Sequence, residues 1–369
     1  MVTTSLTARV LLANQLRALD DVEWTVVSGD AYDDPPPGVA VEVVPIRREF
    51  ALSDVRSFVQ LVGAFRRGRY AFAQTHTPMA SFLGLPAARL SGTPAIYTMH
   101  GALSFADNSR AANLLGWCFE RWCCTWADRV LVQSREDEQV LPRVHACAAR
   151  KLTYLGNGID MTRFLAPVEP AVTDDRPIVV MVSRLVREKG CADFLALAAS
   201  LADRARFIHV GPAEHDQADA LTAEEVAAAA GSVEFVGGVD DVMPWLAAAD
   251  LVVLPSYREG IPRVAMEAAA MGMPVAGYDI RGMREVIDAG SGLLVPRGDR
   301  TALTRLVSDL LDDPDRRRAL GGACADRVRS TFSEEGVIER LRTVYAVMGR
   351  RAGTDGPSGR TTTTKEEGR

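Results

Sequence analysis

The sequence lacks any run of about 18 consecutive apolar residues, so no membrane-crossing helix is expected. No basic region followed by an apolar stretch and a small-residue cleavage site opens the chain, so nothing directs it to secretion, and a cytoplasmic location is expected. The six cysteines, Cys118, Cys123, Cys124, Cys147, Cys191 and Cys324, show no paired C-x-x-C spacing. That excludes the usual thiol metal and redox motifs and leaves small buried hydrophobes. No G-x-G-x-x-G turn occurs: neither Gly156-Asn157-Gly158 nor Gly290-Ser291-Gly292 continues in that form. An NAD-dependent dehydrogenase would need that turn after a strand, with an acid about twenty residues further on. A basic excess is missing too, since the formal charge is -6, with 17 basic against 16 acidic residues up to Arg163 and 25 against 32 beyond. Nucleic acid is therefore not an expected partner.

What is present suits two domains. The 369 residues are 47% hydrophobic and 24% charged, ordinary for a globular chain and too long for one domain of usual size. Short β-branched runs alternate with helical patterns: Trp24 to Ser28, Val41 to Pro45, Phe72 to Thr75, Ala95 to Met99 and Arg129 to Gln133 in the first half. Ile178 to Ser183, Arg206 to Val210, Ser232 to Val236, Leu251 to Pro255 and Pro274 to Tyr278 repeat the arrangement in the second. This alternation specifies α/β domains with parallel sheets and crossover helices. Gly156 to Pro177, with Gly156, Gly158 and three prolines, reads as a hinge. The expected units are 1–163 (acceptor side), 164–335 (nucleotide side), a C-terminal helix over 336–349 and a polar, low-complexity tail over 350–369 that cannot offset its ordering entropy. Only Met1 to Thr4 precede the helical pattern Ala8 to Leu19. Either the opening strand is very short, or the start lies downstream of the true one.

The stretch Arg47 to Arg89 holds seven arginines against Glu42, Glu49 and Asp54, interleaved with Phe50, Phe58, Leu61, Phe65, Tyr70 and Phe72. Two readings stay open: contact with an anionic membrane surface, or a solvated helix face packed on its own sheet.

The most informative segment is Leu251 to Asp279, LVVLPSYREGIPRVAMEAAAMGMPVAGYD, where seven residues separate Glu259 from Glu267. An apolar strand ends at Pro255, Gly260 permits close backbone approach, and Pro262 suits the first position of a helix. Glu259 then stands in a loop at a strand's carboxyl end and Glu267 in the helix's second turn. Ligands of open parallel sheets bind at such ends, and the helix N-terminus near Gly260 to Val264 favours an anion such as a diphosphate. Carboxylates beside that anion are repelled by it, so their useful targets are neutral hydroxyls. A second element, Val182 to Gly190 (VSRLVREKG), sets Arg184 and Lys189 beside another strand end. A departing diphosphate develops charge that cations so placed would stabilise, Arg184 as a planar fork and Lys189 as a compact point charge.

The segment from Ser256 to Val275 resembles the E-x7-E signature of the GT4 family of retaining glycosyltransferases, S-x-x-E-G-x-P-x-x-x-x-E-A-x-A-x-G-x-P-V, at every place. The resemblance implies a GT-B fold of two Rossmann-like domains facing across a cleft, a nucleotide-sugar donor and a glycan or lipid-linked acceptor. It also implies roles: Glu267 on the ribose, the Glu259-Gly260-Ile261 loop on the donor sugar, with Pro262 and Val264 beside it, and Arg184 and Lys189 on the diphosphate. The loop around Gly237 to Val239 would lie against the base. His100 in TMHG, at a strand end, matches a histidine facing the donor sugar, and His76 in QTHTP is placed on the acceptor side. The family's glycine-rich first loop is replaced by Thr3, Thr4, Ser5 and Thr7 with Arg9, which takes the acceptor-side position.

Within the family the motifs look most like enzymes moving N-acetylhexosamines onto undecaprenyl-diphosphate-linked saccharides, with UDP-N-acetylglucosamine or its galacto epimer as donor. No metal or other cofactor is expected. A soluble natural-product acceptor is the alternative. A non-catalytic sugar-nucleotide sensor would be expected to lose one of Arg184, Lys189, Glu259 or Glu267, and all four are present. A metal-dependent GT-A enzyme would need D-x-D at a strand end, whereas Asp313-Pro314-Asp315 lies between helical patterns.

Overall fold

The structure, a computed structural model, describes residues 1–47, 50–103, 110–214 and 217–354. The first domain carries strands β1 Thr25–Ser28, β2 Ala40–Val43, β3 Ala73–Thr75, β4 Ala95–Met99, β5 Arg129–Val132 and β6 Leu152–Tyr154. The second carries β7 Ile178–Val182, β8 Arg206–Val210, β9 Val233–Gly237, β10 Leu251–Leu254, β11 Val275–Tyr278 and β12 Leu294–Val295. All pairings are parallel. β7 (IVVMV) and β10 (LVVL) are buried at every position, because helices cover both faces of such a sheet and leave no polar side. Both domains are Rossmann-like, as expected. β6 and β12 escaped the sequence pattern: at three and two residues they are too short to show a period.

The second sheet runs β12-β11-β10-β7-β8-β9. Read from β9 this is the 3-2-1-4-5-6 order of a doubly wound fold, whose switch point lies between β7 and β10. Loops leaving those two strands diverge to opposite faces and open a crevice between them.

In the first domain β3-β4-β5-β6 form one sheet and β1-β2 a separate pair. Residues 1–3 run between them: the Val2 amide donates to Val27 O and the Gly29 amide to Thr3 O, while the His76 amide donates to Met1 O. This opening segment, not itself a regular strand, thus stitches the two pieces together. Burial pushes the Met1 ammonium down to about 5.

The chain crosses between domains twice, and Ile159 bridges Ser333 where the two crossings meet. The last helix, Glu334–Thr354, returns to the first domain, where Leu341, Val344, Tyr345 and Met348 pack with Leu19, Ile96, Leu131 and Leu155. It extends the helix expected over 336–349 at both ends, so residues 350–354 of the expected tail are helical, each added residue gaining one backbone hydrogen bond. The rest of that tail lies outside the described residues. Five cysteines are buried, while Cys118 is exposed on the outer face of helix Arg110–Trp126 because its turn faces away from the sheet. Among the described residues no helix is long and apolar enough to cross a membrane.

Candidate functional site

Arg184 and Lys189 follow β7, and Glu259 follows β10, so the topology brings both loops to the switch point. Their approach depends on Gly190: a Cβ there would stand 1.9 Å from Pro255 O, and φ is +75°. Only glycine adopts that backbone without strain and leaves room for β10. Lys189 Nζ then donates to Glu259 Oε1 at 2.7 Å. Ser256 Oγ donates to the same oxygen at 2.8 Å. The two charges are largely shielded, with side-chain exposures of 21% and 15%.

Arg184 does not join them. Its guanidinium turns outward and pairs with Glu214 at 2.8 Å, so the two cations of the R-x-x-x-x-K element do not converge on one point. Glu267 lies in the second turn of helix Arg263–Ala270, as expected, with Arg263 at 3.5 Å. Burial pushes its carboxyl above the usual range while Arg263 and Arg163 pull it down. Pro262 corrects one expectation: at ψ 112° it is the residue just before the helix, not its first member, and its ring is buried. The Ile261 side chain belongs to the core, which leaves its main chain to face a ligand. Val264 and Val239 are half-buried and pack against the same core.

His100 follows β4 and His76 follows β3, neighbouring strands in the first sheet. His76 Nδ1 and His100 Nε2 lie 3.3 Å apart, one donating to the other. Burial pushes His100 down to about 4. His76 falls well below its usual value through burial, with the Met1 ammonium and His100 adding to the effect. Both rings are therefore neutral near pH 7.

The domains meet where a Cβ on Gly260 would stand 2.6 Å from His100 O. Side-chain-free backbone lets the β10 loop touch the β4 loop. A cleft of about 360 Å³ opens beside the contact, with His100 and Gly101 on one wall and Glu259, Gly260, Arg281 and Arg297 on the other. A second cavity of about 120 Å³ shares His100 and gathers Arg9, His76, Asn157 and Arg263. Arg9 and His76, the two residues placed on the acceptor side by the sequence, thus line one cavity. Arg184, Lys189 and Glu267 line neither cavity.

Sequence reasoning missed the clasp behind the first cleft. Arg281 pairs with Asp137 of the first domain at 2.9 Å and donates to Ala102 O at 2.9 Å. Arg284 pairs with Glu136 at 3.1 Å, and Ser134 Oγ donates to Glu285 at 2.6 Å. No local signal marks these residues, because each resembles an ordinary charge on a surface helix until the domains face each other.

Residues 10–163 match the family described as Glycosyltransferase Family 4, and residues 176–313 the family described as Glycosyl transferases group 1. The 2-deoxystreptamine N-acetyl-D-glucosaminyltransferase of Streptomyces fradiae is 30% identical over 287 residues, covering 72% of this chain and 68% of that one. The chain belongs to glycosyltransferase family 4. The putative glycosyltransferase EpsD of Bacillus subtilis is 27% identical over 321 residues, 82% of this chain and 84% of its own. Among solved structures, sucrose-phosphate synthase from Thermosynechococcus elongatus superimposes with a TM-score of 0.78 at 22% identity, over 95% of this chain and 98% of that one. Anabaena HepE in complex with UDP-glucose gives 0.76 at 19% identity, over 92% and 96%. At such identities these two establish the shared GT-B fold. This family 4 protein is an enzyme, a glycosyltransferase.

Proposed function

We propose that this glycosyltransferase moves a hexose or N-acetylhexosamine from a UDP-sugar, UDP-N-acetylglucosamine or UDP-N-acetylgalactosamine, onto a lipid-linked saccharide with retention of anomeric configuration. It works in the cytoplasm, as a peripheral protein on the inner face of the cell membrane. The observation that carries the reading is Glu259 at the switch point, facing His100 and Gly101 across a cleft and held from behind by Lys189. Lys189 and Arg184 take the leaving diphosphate, Glu267 the ribose, Glu259 and the Gly260-Ile261 main chain the donor sugar, and His100 its far side. The neutral His100 ring suits an uncharged hydroxyl. With two cations and a helix N-terminus to balance the diphosphate, no divalent metal is needed. A second reading, a soluble acceptor, draws on the Streptomyces relative, named for transfer to 2-deoxystreptamine.

On this reading the acceptor hydroxyl attacks from the side the diphosphate leaves, and the departing phosphate oxygen takes its proton. Glu259, the carboxylate at the donor sugar, is held by Lys189 and Ser256 and is read as an acceptor for sugar hydroxyls rather than as the nucleophile of a glycosyl-enzyme bond. The test is the anomeric NMR coupling of the first product formed from an α-linked donor. An α-linked product is expected; a β-linked one would reject the mechanism. Arg184→Ala and Lys189→Ala should lower kcat more than they raise KM, whereas Glu267→Ala should chiefly raise the donor's KM.

A further inference from the structure

Outside the cleft, the outer face of the first domain carries an apolar surface that the enzymatic reading does not use. Helices Asp54–Gly68, Pro78–Leu90 and Arg110–Trp126 lie side by side over its sheet. Leu52 is 96% exposed, Val55 71% and Val59 63% at one end, and Leu114 is 61% and Leu115 71% exposed at the other. Ring contacts run between the two ends: Phe50 meets Phe82 edge-on at 4.9 Å, and Phe82 stacks on Trp122 at 5.4 Å. Exposed aliphatic side chains thus flank a run of touching rings across three adjacent helices, the kind of apolar surface that marks an interaction site.

Charge identifies the occupant. Between residues 50 and 126 there are seven arginines, at 56, 66, 67, 69, 89, 110 and 121, and three acids, at 54, 107 and 120. All seven arginines are exposed. Asp54 and Glu120 are buried; they accept from the backbone amides of Ala51 and Leu103, and Asp107 lies outside the described residues. In a chain of formal charge -6, this face exposes cations and apolar side chains with no described acid of its own; one arginine, Arg67, reaches Glu42 on the neighbouring sheet. That combination fits a surface whose headgroups are anionic and whose interior is hydrocarbon.

We propose that helices Asp54–Gly68 and Arg110–Trp126, with Phe50 and Phe82 between them, are the face by which this enzyme docks on an anionic phospholipid bilayer. Leu52, Val55, Val59, Leu114, Leu115 and Trp122 enter the headgroup boundary, and the arginines engage phosphates. Helix Arg110–Trp126 also reaches the cleft, since Glu120 accepts from the Leu103 amide and Leu103 lines the cavity. The inference deepens the lipid-linked acceptor reading and rests on it only for its usefulness.

Flotation with phosphatidylcholine vesicles, with and without phosphatidylglycerol, tests it in the absence of donor and acceptor. The wild type should float only with anionic vesicles, and less as salt rises. Leu52→Asp and Leu115→Asp should each weaken partitioning about tenfold or more, and Arg66→Ser and Arg121→Ser about fivefold each. All four positions are exposed, so unchanged circular dichroism and Tm show that the fold persists. Failure of the wild type to float, or equal flotation of all variants, overturns the proposal. So does a dimer without vesicle binding that Leu115→Asp dissolves, which would assign the face to a second copy. Turnover on a lipid-linked acceptor dispersed in detergent, without vesicles, decides the acceptor reading separately.

Discussion

The Asp137–Arg281 pair offers the sharpest test of how the cleft is held. Asp137 lies in the first turn of helix Arg135–Arg143 and Arg281 opens helix Arg281–Val286, so the 2.9 Å contact, with side-chain exposures of 1% and 15%, spans the two domains. Ala102 closes the arrangement: its amide donates to Asp137 Oδ2 at 3.3 Å and its carbonyl accepts from Arg281. Burial pushes the Asp137 carboxyl above its usual range even though Arg281 pulls it down. Desolvation therefore outweighs the attraction, which is the situation in which removing one partner costs most.

Asp137→Ala takes the carboxylate away from the largely shielded Arg281 guanidinium and should cost about 3–5 kcal/mol. With about 2–4 °C per kcal/mol for domains of this size, Tm should fall by roughly 6 °C or more. Arg281→Met strands the carboxyl instead. A buried acid whose folded pKa is raised contributes stability below its unfolded pKa and loses it as pH rises, so this variant should lag the wild type further at pH 8 than at pH 5. The double variant Asp137→Leu/Arg281→Met should recover most of the loss, because a buried pair replaced by apolar groups is often neutral. Thermal melts of the four proteins form the cycle. A cost below about 1 kcal/mol for Asp137→Ala, the value of an exposed pair, or a double variant no better than the singles, would refute the reasoning.

The His76–His100 pair should make stability fall as the medium acidifies. Both folded values lie below the usual 6.5, with His100 at about 4, so the unfolded chain binds more protons and stability is lost as pH drops from about 6.5 toward 4, by about 3 kcal/mol for His100 alone. Urea melts at pH 7 and pH 5 measure this, and His76→Gln should shrink the wild-type difference; an unchanged difference would remove the pair as the cause. Turnover should survive EDTA undiminished, and activity lost in chelator but restored by magnesium or manganese would contradict the metal-free proposal.

The parallel sheets were legible because β7 and β10 are apolar at every position, and the strand-end placement of Glu259 and Lys189 followed from where those runs stop. The Lys189–Glu259 contact was not legible, since it needs the β7 and β10 loops to be neighbours, a fact of strand order that no local pattern encodes. Arg184 was likewise placed at its strand end, but its pairing with Glu214, from a loop beyond β8, was not legible. The return of the last helix to the first domain was equally hidden, because its apolar stripe says that it packs but not on which sheet. His76 and His100 were each placed at strand ends, while their 3.3 Å contact depends on β3 and β4 being adjacent.

The cations around the switch point are already held by acids: Arg184 by Glu214, Arg187 by Glu225, Lys189 by Glu259 and Arg258 by Glu188. A diphosphate reaching this place must exchange partners rather than meet bare charges. For Arg184, whose side chain is 43% exposed, the exchange costs little, since exposed pairs are worth about 0–1 kcal/mol. Lys189 and Glu259 are more enclosed and share Ser256, so separating them leaves a shielded carboxylate in need of donors. On the proposed reading a sugar nucleotide answers both needs at once, its phosphates taking Lys189 while its sugar hydroxyls donate to Glu259. A free nucleoside diphosphate answers only the first. The pair thereby links recognition of the sugar to recognition of the phosphate, although the two groups lie on loops from different strands.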